Sequence, residues 1–205
     1  RGACQLVTNI IHIVVDQARY ETGGRWGRWA DGGGSSLERV DARSDGDLAA
    51  TWADSDETAK SGWTTIEFTG LLDQGAMANA DQLQILLMGA GECLIDNVEV
   101  IPQGGGNVVV NSTFDANASG WFFQGTHEDS HWQSTGGFSG GCLHAVATDR
   151  GDIGANRIRT VLSATLAQNT TATLRAKVKW LKGHPEILLR LHGNWLEATG
   201  DSLAT

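Results

Sequence analysis

Proline is scarce in this chain, 2 residues in 205, while glycine reaches 27. Turns must therefore rest on Gly, Asn and Asp rather than on the fixed φ of proline. Basic residues are outnumbered: 15 Lys and Arg against 24 Asp and Glu leave a formal charge of −9. No cationic surplus exists to neutralise phosphates, so neither nucleic acid nor an anionic membrane is expected as a partner. Cysteine is limited to Cys4, Cys93 and Cys142, far apart and without a CxxC spacing, which excludes a zinc ribbon or a redox pair. One disulfide with a thiol left over, or three buried thiols, both remain open. No run approaches the roughly 18 apolar residues of a bilayer-crossing helix. The chain opens on Arg1 with no apolar stretch of signal character, and the expectation is a soluble fragment or a processed piece of something longer.

Amphipathic helical periodicity is almost missing too. Only "LLDQGAMANADQL" (71–83) has room for a short helix, and its Gly and Asn weaken it. What is present is alternation. In "TATLRAKVKW" (171–180), Leu174, Ala176, Val178 and Trp180 point one way while Arg175, Lys177 and Lys179 point the other, the mark of a strand buried on one face. "WTTIEFTG" (63–70) alternates similarly. "IIHIVVDQARY" (10–20), "LQILLMG" (83–89), "CLIDNVEVI" (93–101), "NVVVNSTF" (107–114) and "EILLRLHG" (186–193) read as further strands. With 40% apolar residues a sizeable core is available, and large-scale disorder is not expected. The fold class is all-β.

A faint repeat runs through the chain. "ILLMGAGECL" (85–94) and "ILLRLHGNWL" (187–196) align without gaps at an offset of 102 and share 5 of 10 residues. Upstream of each a Thr-Thr pair, Thr64-Thr65 or Thr170-Thr171, opens an alternating strand. Duplication of one sandwich unit explains this order of features.

"NVVVNSTFDANASGW" (107–121) resembles the opening of jelly-roll carbohydrate-binding modules of the galactose-binding-like fold, and "GECLIDNVEV" (91–100) looks like their closing strand. "IVVDQARYETGGRWGRWADGGGSSLERVD" (13–41) is similar to the tail end of a lamin tail domain. The resemblance implies an antiparallel β-sandwich, in two related units: a strand remnant of a preceding domain over 1–21, a first unit over 22–101, a Gly-rich linker at 102–106 and a second unit over 107–205. The first half has the closing strand with a shortened opening, and the second has the opening without a closing strand. Either the halves complete one another, or one module is cut short. The resemblance also implies a part of a larger secreted, extracellular or cell-surface bacterial protein.

"GWFFQGTHEDSHWQSTGG" (120–137) sets two histidines and two carboxylates within five positions. On an extended strand His127, Asp129 and His131 share a face, a donor set that suits Zn2+ with an open position for water. Such a metal would make a hydrolase of an ester or lactone, with Glu128 as a base. The bland alternative is a polar strand end.

For calcium, "ATDRGDIGANR" (147–157) offers the hard oxygens of Asp149, Asp152 and Asn156. The resemblance adds Asn111, Asp115 and Asp96 as ligands of a structural Ca2+. An Asp/Gly turn with no ion accounts for the first loop equally.

Tryptophan is abundant, 8 against 1 Tyr and 5 Phe. Indole faces stack on the apolar faces of sugar rings. Trp180 belongs to the core, and the resemblance puts Trp52 and Trp121 there. Trp26, Trp29, Trp132 and Trp195 lie in Gly-rich or polar loops, and Arg25 and Arg28 alternate with the first two, able to bind hydroxyls or carboxylates. These six are the candidate ligand-binding residues; capping of the sandwich ends is the alternative. No G-x-S-x-G elbow or phosphate loop is present. The leading expectation is a carbohydrate-binding accessory module with structural calcium, then the metal-dependent hydrolase, then a spacer that binds nothing.

Overall fold

The computed structural model describes residues 10–15, 17–56, 61–73, 79–152, 154–201 and 203. Cys4 and the middle of the suggested helix (74–78) lie outside them.

Twelve strands follow one another: β1 (Leu37–Arg39), β2 (Trp52–Asp54), β3 (Thr64–Leu71), β4 (Asn79–Leu87), β5 (Gly91–Pro102), β6 (Trp121–Gln124), β7 (His131–Gln133), β8 (Cys142–Ala147), β9 (Arg157–Ala167), β10 (Thr171–Gly183), β11 (Ile187–His192) and β12 (Glu197–Gly200). Ten of them form two five-stranded antiparallel sheets. Sheet I has the order β3-β10-β5-β8-β7 and sheet II the order β12-β11-β4-β9-β6, while β1 and β2 make a separate ribbon. The arrangement is all-β and consistent with a β-sandwich. No helix among the described residues is long and apolar enough to cross a membrane.

Period-2 alternation builds the core directly. Leu174, Ala176, Val178 and Trp180 of β10 are buried together with Ile95, Val98 and Val100 of β5, and with Leu83, Ile85 and Leu87 of β4. Trp121 and Phe114 join them, their rings 5.1 Å apart. Burying each such side chain contributes roughly 1.5–3 kcal/mol. The opposite residues of each strand become the outer faces of the sheets.

Strands from before and after residues 102–106 are neighbours in both sheets. β10 lies between β3 and β5, and β4 lies between β9 and β11. The strands related by the repeat are themselves hydrogen-bonded partners: β3 pairs with β10, and Ile85-Leu86-Leu87 pairs antiparallel with Ile187-Leu188-Leu189. The segment 102–106 begins inside β5 and turns through a Gly105 N–H to Pro102 carbonyl bond of 2.9 Å.

Two expected strands are not formed. Residues 10–15 and 17–20 join no ladder, and Ile10, Ile11, Ile13, Val14 and Val15 are exposed; β-branched residues favour a strand only where a partner edge exists. In "NVVVNSTF" only Val109 makes a bridge, to Leu162. There the Asn107 carboxamide accepts the N–H groups of Val100 and Val109, both at 3.0 Å, and Asn111 turns the chain at φ 52°. A side chain has taken over what a ladder would otherwise supply. On the flanks of 74–78, Leu71 ends β3, Leu72 and Asp73 lie outside any element and Asn79–Leu83 begins β4, so the described part of 71–83 holds no helix.

Candidate functional site

The His127–His131 stretch is not an extended strand. Gly125–His127 forms a single 3-10 turn, entered with Gly125 at φ 57°, and only His131–Gln133 is β7. His127 is fully buried. Its Nε2 accepts the Leu87 N–H at 3.0 Å, so the proton sits on Nδ1, which faces Thr126 Oγ1 at 3.0 Å. Burial lowers its pKa to about 4. With both ring nitrogens engaged, His127 has no lone pair for a metal. His131 is exposed, and its Nδ1 donates to the Asp129 carbonyl. Glu128 and Asp129 point to solvent. Among the described residues no group of three His, Cys, Asp or Glu could hold a metal ion.

The first calcium loop is organised around its own backbone. Asp152 Oδ1 accepts the N–H groups of Gly154, Ala155 and Asn156, and Oδ2 accepts the Asn156 carboxamide at 2.6 Å. These bonds, the Asn156 side chain first, lower the Asp152 pKa to about 2. Asp149 caps the adjacent Arg150 N–H. The second set is different. Asp96 is buried on the outer side of β5, just before a bulge at Asn97 (φ 47°). Its two oxygens accept the N–H groups of Asn97 and Ser139. Burial pushes its carboxyl up, and the nearby charge of Asp115 adds to the shift. Asp115 accepts the Thr113 hydroxyl at 2.7 Å. Asn111 turns away, donating to the Asn117 and Ser119 carbonyls. Asp96 and Asp115 are thus neighbouring hard-oxygen donors, and Asn111 is a loop clasp.

The candidate tryptophans are dispersed. Trp26 packs between Tyr20 and Trp52, 6.4 Å from each. Trp132 lies against the core and donates to the Phe114 carbonyl at 2.7 Å. Arg25 is exposed, and Arg28 donates to the Thr148 carbonyl while lying over the Trp29 ring. Trp29 rests beside Gly183 and lines a cleft of about 410 Å³ with Asp54, Asp56, Glu92, His144 and Lys182. In that cleft Glu92 is held by His144 at 3.0 Å and Lys182 at 3.1 Å, and its pKa is lowered mainly by the His144 bond. His131 faces His144 across the β7–β8 pair, ring centroids 4.8 Å apart. One end of the HEDSH stretch and Trp29 therefore do share the outer face of sheet I.

Trp195 leads to a more organised surface. It is 48% exposed, has φ 51°, and lies 5.1 Å from the Arg190 guanidinium carbon. Arg190 belongs to a row that crosses the outer face of sheet II: Phe122, Arg159, Gln84, Arg190 and Glu197 are successive cross-strand partners on β6, β9, β4, β11 and β12. Four inter-strand spacings make this row about 19 Å long. At the far edge Phe122, 47% exposed, carries the Arg159 guanidinium at 4.5 Å from its ring centroid. Arg159 Nε donates to Gln124 Oε1 at 3.0 Å, and Arg190 Nε pairs with Glu197 at 3.2 Å. In the centre Gln84 is fully buried, its amide donating to Gln82 at 3.3 Å while its Oε1 has no hydrogen-bond partner. A buried acceptor without a donor carries a cost of about 1–3 kcal/mol.

Sequence reasoning found Trp195 but missed Phe122, Arg159, Gln84 and Arg190. They lie on four strands and become one row only through the β6-β9-β4-β11 register. The signal available in advance was the polar residues alternating with the core positions of each strand.

Comparison of the chain with family models, curated proteins and solved structures found no match.

Proposed function

We propose that the protein is a carbohydrate-binding accessory module of the galactose-binding-like, jelly-roll type, part of a secreted multidomain protein. The observation that carries this reading is the transverse row on sheet II. Two exposed aromatic rings at opposite edges provide stacking platforms for sugar faces. Between them, two oriented guanidinium groups and the partly exposed Gln82 carboxamide match the dense hydroxyls of a glycan. The row crosses the strands, so a chain of several sugar units would lie across the sheet. The two halves, whose strands are neighbours in both sheets, fit the same proposal.

Structural calcium belongs in this reading at Asp96 and Asp115. The donor set fits a hard cation, since a buried carboxylate beside a second one is relieved by positive charge. Such an ion would neutralise the pair and tie β5 to the 136–141 loop. Hydrolysis is the weaker reading, because His127 offers no nitrogen to a metal.

Binding to a panel of soluble and insoluble polysaccharides tests the proposal. The wild type should be retained by at least one polymer. A Phe122→Ala/Trp195→Ala variant of unchanged melting temperature should not be. Retention that survives the double substitution would move the site elsewhere, with the Trp29 cleft next in line.

A further inference from the structure

We infer that the sheet II face takes an acidic glycan, with a uronate carboxylate seated on Arg159. This deepens the carbohydrate reading and rests on it.

The protein carries a formal −9, yet the arginines of its two outer faces are treated differently. On sheet I Arg175 pairs with Glu67 at 2.5 Å and Glu99 at 2.8 Å, Lys182 pairs with Glu92, and Lys177 donates to Thr65 Oγ1 and lies over Phe138. On sheet II, Arg157, Arg159 and Arg190 share one face, and among the described residues Arg159 has no carboxylate within ion-pair distance. The acids nearby are spoken for. Glu197 holds Arg190, and Asp152, whose field reaches Arg157, has its oxygens taken by its own loop. Asp81 stands in β4 beyond Gln82.

Arg159 is also posed. Its guanidinium lies on Phe122 and its Nε is spent on Gln124. Stacking fixes the plane and the Nε bond fixes the rotation, so the terminal amino groups are left as donors in a set direction. A planar, oriented pair of N–H donors on a half-buried guanidinium is what a carboxylate accepts, in two parallel bonds. Arg157, two residues along the same strand, has its pKa lowered by burial first and by the Arg159 charge second. An anion on Arg159 offsets this crowding, whereas a neutral hydroxyl does not.

The test uses the full chain with two uronate polymers, polygalacturonate and alginate, each beside its own carboxyl-reduced product. Affinity electrophoresis or calorimetry reads the result, and double-stranded DNA serves as a polyanion without sugar carboxylates. Binding to at least one acidic polymer should be roughly ten- to a hundred-fold tighter than to its reduced form. Arg159→Gln should remove that difference, bringing the affinity for the acidic polymer down to the affinity the same variant shows for the reduced form. The comparison of parent and reduced polymers needs no variant, so it holds even where Arg159→Gln impairs folding. Equal binding to both forms overturns the inference and leaves the carbohydrate reading standing. Equal binding to DNA overturns it as well, since charge alone would then suffice. No binding to any polymer, neutral or acidic, overturns both.

Discussion

The Nε2 of His127 lies 3.0 Å from the Leu87 nitrogen and accepts its N–H. That bond ties the turn after β6 to the end of β4, and it requires a neutral imidazole. The folded-state pKa of about 4 lies below the ordinary value of 6.5. Between these values the unfolded chain binds more protons than the folded one, so stability rises with pH across that window. Unfolding free energy should therefore fall as pH drops below 6.5 and go on falling to about 4, by about 3 kcal/mol in all. In His127→Gln this part of the slope should vanish. Urea midpoints of the two proteins at several pH values check it, and parallel curves would mean that another group titrates.

Cys93 and Cys142 are both free and buried. Burial raises both thiols, Cys93 strongly and Cys142 to about 11. Little thiolate forms at neutral pH, and burial shields both sulfurs. An Ellman titration should count two more thiols in denaturant than in native buffer. An equal count in both states would show that one face of β5 or β8 opens readily.

The strands of the core were the legible part of this chain. "TATLRAKVKW" became an interior strand of sheet I because each apolar residue reinforced the same face. The isolated runs at 10–20 and 107–114 were misjudged because β-branched composition reports fitness for a sheet and not the presence of a partner edge. His127 was misplaced for a related reason. Shared-face spacing assumes an extended backbone, and Gly125 permits a turn instead. The sheet II row could not be read at all, since Phe122, Arg159, Gln84 and Arg190 meet only through register.

Asp96 gives a direct test of the calcium proposal. Its carboxyl is buried beside Asp115, so the ionised pair is costly without a cation. Calcium added to chelator-treated protein should raise the melting temperature in proportion to the logarithm of its concentration above Kd. Asp96→Asn should abolish that rise. A melting curve indifferent to both calcium and chelator would remove the ion from this site.

Trp195 is held at φ 51°, a left-handed backbone that a bulky residue adopts at a cost. Its ring is half exposed, with the Arg190 guanidinium over it, so only part of the indole's burial offsets the strain. Residues kept in such conformations concentrate at ligand sites. Trp195→Gly should therefore leave stability unchanged or raise it by up to about 1 kcal/mol. The same substitution should weaken polysaccharide binding roughly tenfold through the lost stacking surface. Opposite signs for stability and binding are the signature of a residue kept for its ligand. Thermal melts and binding isotherms on one preparation measure both quantities. Should Trp195→Gly lose stability and keep its affinity, the ring would be a cap on the β11–β12 turn, and the binding row would end at Arg190.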